Sequence, residues 1–210
     1  YDPDGNEFLD YGMALLAVTI GYSEQRVNLA AIEQIEMGNN LTRPSLVELE
    51  AAECFVENFD STDMVKFTKN GSTATTAAIK LSRAFTGRKL IARCSQHPFF
   101  SYDDWFIGST QVPRGVPQEI VDQTKFFGYN DLEGFQRLLQ EYPDELACVI
   151  LEPVTDVEPK ERFLHQLQDL CQKHGVVFIL DEMKTGFRFH KSGAQHYFDL
   201  KPDLSCFGKG

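Results

Sequence analysis

Short apolar runs alternate with segments of helical periodicity from residue 64 onward, and this alternation limits the fold more than any other feature of the chain. Short buried strands separated by helices are typical of a parallel sheet that is covered on both faces. The sequence therefore predicts an α/β fold with a mostly parallel, doubly wound sheet. Strands are predicted at 64–68, 89–94, 148–152 and 176–181, and helices at 73–85, 131–140 and 161–174.

The first 45 residues do not show this alternation, so we divide the chain into an N-terminal segment (1–45) and a larger domain (46–210). Turn-forming residues followed by an apolar stretch predict a hairpin within 1–22. A helix is predicted between Ser23 and Gly38. A second helix is predicted from near Ser45, with these side chains facing a core: Leu46, Leu49, Ala52 and Phe55.

Composition excludes several classes of protein. The 210 residues carry 20 basic and 31 acidic side chains, a formal net charge of -11, so no nucleic-acid-binding surface is expected. The longest apolar runs, 147–151 and 176–180, are far shorter than the roughly 20 residues that cross a bilayer, so no membrane partner is expected either. The five cysteines form no C-x-x-C pair, which favours a reduced, cytoplasmic protein.

The first candidate site is the segment 69–76, between a predicted strand and a predicted helix. Backbone N–H groups at a helix start, with the hydroxyls of Ser72 and Thr73, can form a phosphate site, although such hydroxyls also serve as ordinary helix caps. Neither G-x-x-x-x-G-K-[ST] nor G-x-G-x-x-G occurs, which argues against a nucleotide. The inward face of the helix is predicted to be Ala74, Ala77, Ala78, Leu81 and Phe85.

The second candidate is the pair of carboxylates at the end of the strand 176–181, Asp181 and Glu182. Ligands of open α/β sheets bind at the carboxyl ends of the strands. A carboxylate there can pair with a protonated pyridine nitrogen, hold a metal ion, or cap the next turn. The phosphate loop that usually accompanies such a metal is missing, so no metal site is predicted.

Lys209 is the third candidate, because it lies between Gly208 and Gly210 and follows Asp181 along the chain. A lysine between glycines can approach a cofactor closely, and a buried amine is a nucleophile for carbonyl groups. Taken alone, a lysine near a chain end is more commonly a solvated charge. Together, the three candidates match the anchors of pyridoxal phosphate: a phosphate cradle, a pyridinium partner and a Schiff-base amine.

The order and wording of these motifs resemble the class III, or ω-type, aminotransferases of the fold-type I pyridoxal-phosphate enzymes. Within that family the chain is most similar to the glutamate-1-semialdehyde 2,1-aminomutase branch. The likeness runs over almost the whole chain. The segments that carry it are 1–11, 70–75, 78–88, 149–153, 181–188, 193–195, 202–204 and 207–210.

The resemblance implies the large cofactor domain of a fold-type I enzyme, truncated at its C-terminal end, and it implies roles for individual residues. Lys209 would form the Schiff base and carry a proton. Asp181 would hold the pyridine nitrogen protonated, which makes the ring an electron sink. The other implied cofactor contacts are Gly71, Ser72 and Thr73 at the phosphate, Met183 beneath the ring, and Glu152 as an acid close by.

Three segments depart from the family pattern. The phosphate loop, commonly S-G-T-E-A in the family, has Asn70 and Thr73 in place of the Ser and the Glu. Where the family has Tyr-His-Gly with its aromatic ring stacked on the cofactor, this chain offers His97 or Phe99, and we favour His97. The neighbouring Phe100 and Trp105 fit a hydrophobic core equally well. The residues at 15–18, Leu-Leu-Ala-Val, replace a Ser-Trp-Gly-Pro-like run near the substrate, which favours a different amino acceptor.

The resemblance therefore implies a transaminase that moves an amino group from an amino-acid donor to a ketone or aldehyde acceptor. It also implies a homodimer for the full-length enzyme. Two alternatives stay open. One is the aminomutase, which transfers the amino group within a single molecule, and the other is a non-catalytic scaffold on the same fold, suggested by the altered ring-stacking segment.

Overall fold

The computed structural model describes residues 1–39 and 41–209, and a five-stranded sheet forms its centre. All neighbouring strands are parallel. The strands are β1 (Leu90–Cys94), β2 (Thr124–Phe127), β3 (Leu146–Leu151), β4 (Val177–Asp181) and β5 (Leu204–Cys206). The helical segments are α1 (Met13–Leu16), α2 (Gln25–Met37), α3 (Leu46–Asn58), α4 (Gly71–Thr86), α5 (Asp104–Ile107), α6 (Gln118–Val121), α7 (Leu132–Glu141), α8 (Phe163–His174) and α9 (Gly193–Tyr197).

The strand order β2-β1-β3-β4-β5 reverses direction at β1. The chain leaves β1 toward β2 on one side and later returns to place β3 on the other side. In open parallel sheets, ligands bind outside the carboxyl ends of the strands at such a reversal. The topology therefore marks the carboxyl ends of β1 and β3 as the expected place for a site.

Helices cover both faces of the sheet, which confirms the predicted fold class. On one face α7 and α8 pack against alternate residues of the central strands, with Phe135 and Leu167 fully buried. On the other face α4 and α5 pack against the intervening residues, with Ile79 and Phe106 buried. Both faces of β3 and β4 are dry, as their continuous apolar sequences require.

Helix α4 begins where the side chain of Asn70 accepts a hydrogen bond from the Thr73 N–H, and it ends at Gly87, whose φ of 69° is left-handed. The predicted inward face was right for Ala78, which is buried, and wrong for Leu81 and Phe85, which are 56% and 83% exposed. Small and hydroxylated residues allow a close approach to the sheet, and backbone carbonyls accept the buried hydroxyl protons. The buried face consists of Thr75, Ala78, Ile79 and Ser82.

The predicted hairpin within 1–22 was wrong. The turn forms, because the Asp2 carboxylate accepts hydrogen bonds from the N–H groups of Asp4 and Asn6, but no strand follows it. Leu9 and Tyr11 are each 86% exposed and have no partner strand to pair with. The predicted strand at 64–68 was also wrong, since this extended segment joins none of the five strands.

The N-terminal helices form at the predicted places but bury little of their apolar surface. Helix α3 starts at its Ser45 cap, and neither α2 nor α3 contains a buried residue. The expected core face of α3 was wrong in its first half, because Leu46 and Leu49 are 70% and 52% exposed. Phe55 does pack against other aromatic rings. Among the helices of residues 1–39 and 41–209, none has the length and apolarity needed to cross a membrane.

Candidate functional site

Four adjacent strands deliver polar side chains to the same edge of the sheet. His97 follows β1, Glu152 follows β3, Asp181 ends β4 and Lys209 follows β5. The register places Asp181 opposite Cys206, so Lys209 comes three residues after a direct neighbour of Asp181. Candidates that are widely separated in sequence therefore meet at the topological reversal of the sheet.

The N-terminus of α4 faces this edge and supplies backbone donors. The first intrahelical hydrogen bond runs from the Ala74 N–H to the Asn70 carbonyl, so the N–H groups of Gly71 and Ser72 lie ahead of the helical ladder. The N–H and the hydroxyl of Thr73 both donate to the Asn70 side chain. Of the three residues expected at a phosphate, Thr73 thus has its donors engaged, while Gly71 and Ser72 keep theirs at the positive end of the helix dipole.

The Met183 side chain lies against both the start of α4 and the loop that carries Lys209. A Cβ atom at Gly71 would lie 2.8 Å from the Met183 sulfur, and one at Gly208 would lie 2.5 Å from it. The same position at Gly208 is 3.9 Å from the Gly71 Cα. Both glycines are therefore needed for these backbones to approach each other around one thioether.

Asp181 is a buried carboxyl group that receives little hydrogen bonding to offset its loss of solvation. It is 2% exposed, and one of its oxygens, Oδ1, accepts a hydrogen bond of 2.9 Å from the Met183 N–H. Among the described residues nothing donates to Oδ2. The pKa of Asp181 is raised to about 8, chiefly by burial; the hydrogen bond from Met183 opposes the rise, the nearby Glu152 adds to it, and the charges of Lys184 and Lys209 also oppose it. A cation placed at this carboxyl group would be stabilised.

Glu152 is also buried, but it has a partner that the sequence did not suggest. The ammonium of Lys184 lies 2.9 Å from both carboxylate oxygens, and its hydrogen bond is directed at Oε1. Burial raises the pKa of Glu152, and the hydrogen bond and charge of Lys184 oppose that rise. Lys184 comes from the turn after β4 and reaches back to the end of β3. No local pattern in the sequence predicts this ion pair, because it forms only when β3 and β4 pair.

His97 lies at the edge of the sheet, directly against Glu152. Its Nδ1 atom accepts a hydrogen bond of 3.0 Å from the Glu152 N–H, so the neutral ring carries its proton on Nε2. The pKa of His97 is lowered to about 4, chiefly by burial, and the charges of Lys184 and Arg93 contribute in the same direction. Phe99 lies elsewhere, 53% exposed with its ring edge against Phe106.

The segment after His97 is fastened to the first turns of α4. The Ser101 hydroxyl donates to the Ser72 carbonyl at 3.2 Å, and the Trp105 indole N–H donates to the Thr76 hydroxyl at 2.9 Å. Thr76 also donates to the Asp103 carboxylate. The rings of Phe100 and Trp105 are buried in the core. These contacts fix the position of the α4 N-terminus relative to β1.

The two carboxylates that end β4 have different surroundings. Glu182 points away from the edge and accepts hydrogen bonds from the N–H groups of Ala194 and Gln195 and from the Thr185 hydroxyl. It therefore serves as the N-terminal cap of α9, and only Asp181 faces Glu152 and Lys209. The close approach of Glu182 also requires Gly193, whose φ is 76°.

The donor set fits a ligand that carries an anion at one end and a basic nitrogen at the other. The α4 N-terminus supplies unpaired N–H groups for the anion. Asp181 supplies a buried acid with a free oxygen for the nitrogen, and Lys209 supplies an amine beside both. Pyridoxal phosphate has this arrangement of phosphate, pyridine nitrogen and carbonyl, so the residues present fit it.

Comparison with known proteins finds relatives over the whole length of this chain. The glutamate-1-semialdehyde 2,1-aminomutase of Methanosphaera stadtmanae is 34% identical over 219 residues, which cover 100% of this chain and 52% of that protein. An ω-transaminase from Sphaerobacter thermophilus superposes with a TM-score of 0.90 at 32% identity, covering 99% of this chain and 51% of that one. The FumI protein of Sphingopyxis sp. MTA144, solved in its PLP internal aldimine form, gives 0.89 at 27% identity, covering 100% and 51%.

This chain therefore spans about half the length of the relatives that it matches. The family model for class-III aminotransferases matches residues 1–210, the whole of the sequence. The chain belongs to the class-III aminotransferases.

Proposed function

We propose that the protein containing this chain is a pyridoxal-phosphate-dependent aminotransferase. It would move an amino group from an amino-acid donor to a ketone or aldehyde acceptor. The observation that carries the proposal is the convergence of Lys209, the buried acid Asp181 and the N-terminus of α4 at one edge of the sheet, in a chain of the class-III family.

Gly71 and Ser72 would bind the phosphate through their backbone N–H groups, with the Ser72 hydroxyl as a further donor. Asp181 would hold a proton on the pyridine nitrogen, because an ion pair there compensates the buried carboxylate. Pyridoxal phosphate, when bound, supplies an electron sink for a carbanion next to the reacting nitrogen.

Lys209 would hold the cofactor covalently through Nζ and, once released, would carry a proton to and from the substrate carbon at that same atom. Gly208 leaves room for the lysine to reach the site, since a side chain there would collide with Met183. His97 would lie against one face of the ring and Met183 against the other. The neutral state of His97 keeps a second positive charge away from the pyridine nitrogen.

Glu152 and Lys184 would form the polar wall of the site. Their ion pair neutralises a carboxylate that is only 2% exposed, and the Glu152 N–H fixes the tautomer of His97. Glu152 directly follows β3, and a position next to a rigid strand keeps its carboxylate in place better than a position within a long loop would.

A direct experiment is to follow isotopically labelled nitrogen from a panel of amino-acid donors to carbonyl acceptors with the full protein and pyridoxal phosphate. We expect transfer by the wild type and none by Lys209→Ala or Asp181→Ala. A wild type that binds the cofactor but transfers no nitrogen with any donor would contradict the proposal and favour the non-catalytic scaffold.

The aminomutase is a second candidate, favoured by the curated relative that is 34% identical over the whole chain. It differs from a transaminase in needing no external amino donor. Conversion of glutamate 1-semialdehyde by the full protein, without any added amino acid, would select the aminomutase.

We also propose a homodimer for the full protein. Helices α2 and α3 expose a series of apolar side chains that a monomer of this chain leaves in water, and surfaces of this kind mark protein contacts. These side chains are Leu29, Ile32, Ile35, Leu46 and Leu49. A cytoplasmic location is proposed because Cys54, Cys94, Cys148, Cys171 and Cys206 are all free thiols.

A further inference from the structure

Four phenylalanine rings form a closed cluster beside the loop that carries Lys209. Phe55 lies in the last turn of α3 and Phe59 directly follows that helix, while Phe187 comes from the turn after β4 and Phe207 from the residue after β5. All six ring pairs are in contact, with centroid separations from 4.8 to 5.9 Å. We call this set the phenylalanine quartet.

The geometry around the quartet is demanding. A Cβ atom at Gly186 would lie 2.7 Å from the ring of Phe207 and 2.7 Å from the Glu182 carbonyl oxygen. Phe187, the next residue, has a φ of 63°, which is unfavourable for a side chain of its size. Phe59 is 2% exposed, so the centre of the cluster is dry. Because Gly186 has no room for a Cβ atom and Phe187 has a left-handed backbone, the chain around the quartet has few alternative conformations.

Phe207 is separated from Lys209 by a single glycine. Gly208 has no side chain to restrain its backbone, and Gly210 follows the lysine in the sequence. On one side, this stretch rests on Met183 and Gly71. On the other side, the ring of Phe207 is the anchor, since it contacts three other rings. The direction in which the chain leaves β5 toward Lys209 thus depends on where the quartet holds Phe207.

We infer that Phe207 is a positioning residue for Lys209, and that the phenylalanine quartet links the placement of α3 to the placement of the reactive amine. This inference rests on the proposed role of Lys209. Its consequence is that a ring on α3, in the N-terminal part of the chain, influences how fast Lys209 attaches to the cofactor. A misplacement of about 1 Å at a reacting group can reduce a rate by roughly a hundredfold.

The test uses the cofactor-free full protein mixed with pyridoxal phosphate. The rate of covalent attachment is followed by visible absorbance and, after borohydride reduction, by mass spectrometry of the peptide with Lys209. The variants are Phe207→Leu and Phe55→Leu, with Phe207→Tyr as the conservative substitution that keeps the ring. The matched control is Phe135→Leu, which removes the same atoms from a fully buried position in a separate cluster that contains none of the four rings.

We expect attachment to slow by at least about tenfold in Phe207→Leu and measurably in Phe55→Leu, and to recover in Phe207→Tyr. Phe135→Leu should lower the melting temperature and leave the attachment rate within a factor of about two, because its cluster does not touch the Lys209 loop. Attachment at the wild-type rate in either Phe207→Leu or Phe55→Leu would overturn the inference. Failure of the wild type itself to attach the cofactor would instead overturn the proposed function.

Discussion

The Asp181 carboxyl group favours binding of a cation but destabilises the cofactor-free fold at neutral pH. Its pKa is raised from the usual value near 3.8 to about 8, chiefly by burial. The folded chain thus holds this proton more tightly than the unfolded chain does. The stability contributed by the proton is complete below about pH 4 and is lost as the pH rises through about 8.

Asp181→Asn should therefore stabilise the cofactor-free protein at pH 8, by about 1–3 kcal/mol, and have a smaller effect at pH 5. The same change should weaken binding of pyridoxal phosphate, because an amide cannot compensate the pyridinium charge. Urea unfolding at pH 5, 6.5 and 8 measures the first effect, with the exposed Asp199→Asn as the control. A stability difference that does not change with pH would show that Asp181 is ionised throughout.

His97 gives a pH dependence of the opposite sign. Its pKa falls from 6.5 to about 4 in the folded chain, so the unfolded chain binds the proton more tightly. The stability contributed by the neutral His97 ring is fully present above about pH 6.5 and is lost as the pH falls toward 4. His97→Asn should flatten this part of the unfolding curve, while His165→Asn should not. Parallel curves for the wild type and His97→Asn between pH 6.5 and 4 would contradict the buried neutral ring.

Helix α4 is the element that combines stability with binding, because its first turn is both capped and aimed at the site. Asn70→Ala removes the acceptor for the Thr73 N–H and should lower the free energy of unfolding by about 1 kcal/mol. Asn70→Asp keeps the cap but adds a negative charge next to the proposed phosphate position. It should leave stability intact and weaken pyridoxal-phosphate binding. Equal cofactor affinity in Asn70→Asp and the wild type would place the phosphate elsewhere.

The elements that could be predicted from sequence carry their signals locally. Helix α4 has a cap at its start and a left-handed Gly87 at its end, and β4 consists of four apolar residues followed by Asp181. Strand β2 was not predicted, because Thr-Lys-Phe-Phe has no periodicity and depends on pairing Ile91 with Thr124. The same distinction holds at the site. Asp181 and Lys209 are visible in the sequence, whereas the Lys184 partner of Glu152 and the cap formed by Glu182 exist only after the strands pair.

At the scale of the whole molecule, the chain has a well-packed sheet domain and an N-terminal part that packs poorly on its own. Residues of α2 and α3 are exposed or half-buried, with large apolar side chains in water. We expect the full protein to be a dimer that covers this surface. Size-exclusion chromatography with light scattering, over a hundredfold range of concentration, should give twice the chain mass throughout. A monomer at every concentration would contradict the dimer.

Charge also acts at this scale. The net charge of -11 contributes to solubility, while the site itself collects the cations Lys184 and Lys209 against Glu152 and Asp181. We therefore expect an anionic cofactor to be attracted by the local donors at the α4 N-terminus rather than by the overall field. Moderate salt should weaken its binding only slightly, since groups this close together are poorly screened.

A titration of the cofactor-free full protein measures directly whether Lys209 holds pyridoxal phosphate at the carboxyl edge of the sheet. The wild type should gain a saturable visible absorbance, one cofactor per chain, and borohydride reduction should leave the label on the peptide containing Lys209. Lys209→Ala should show neither, and Lys80→Ala, on the exposed face of α4, should match the wild type. A colourless wild type, or the same absorbance in Lys209→Ala, would contradict the account.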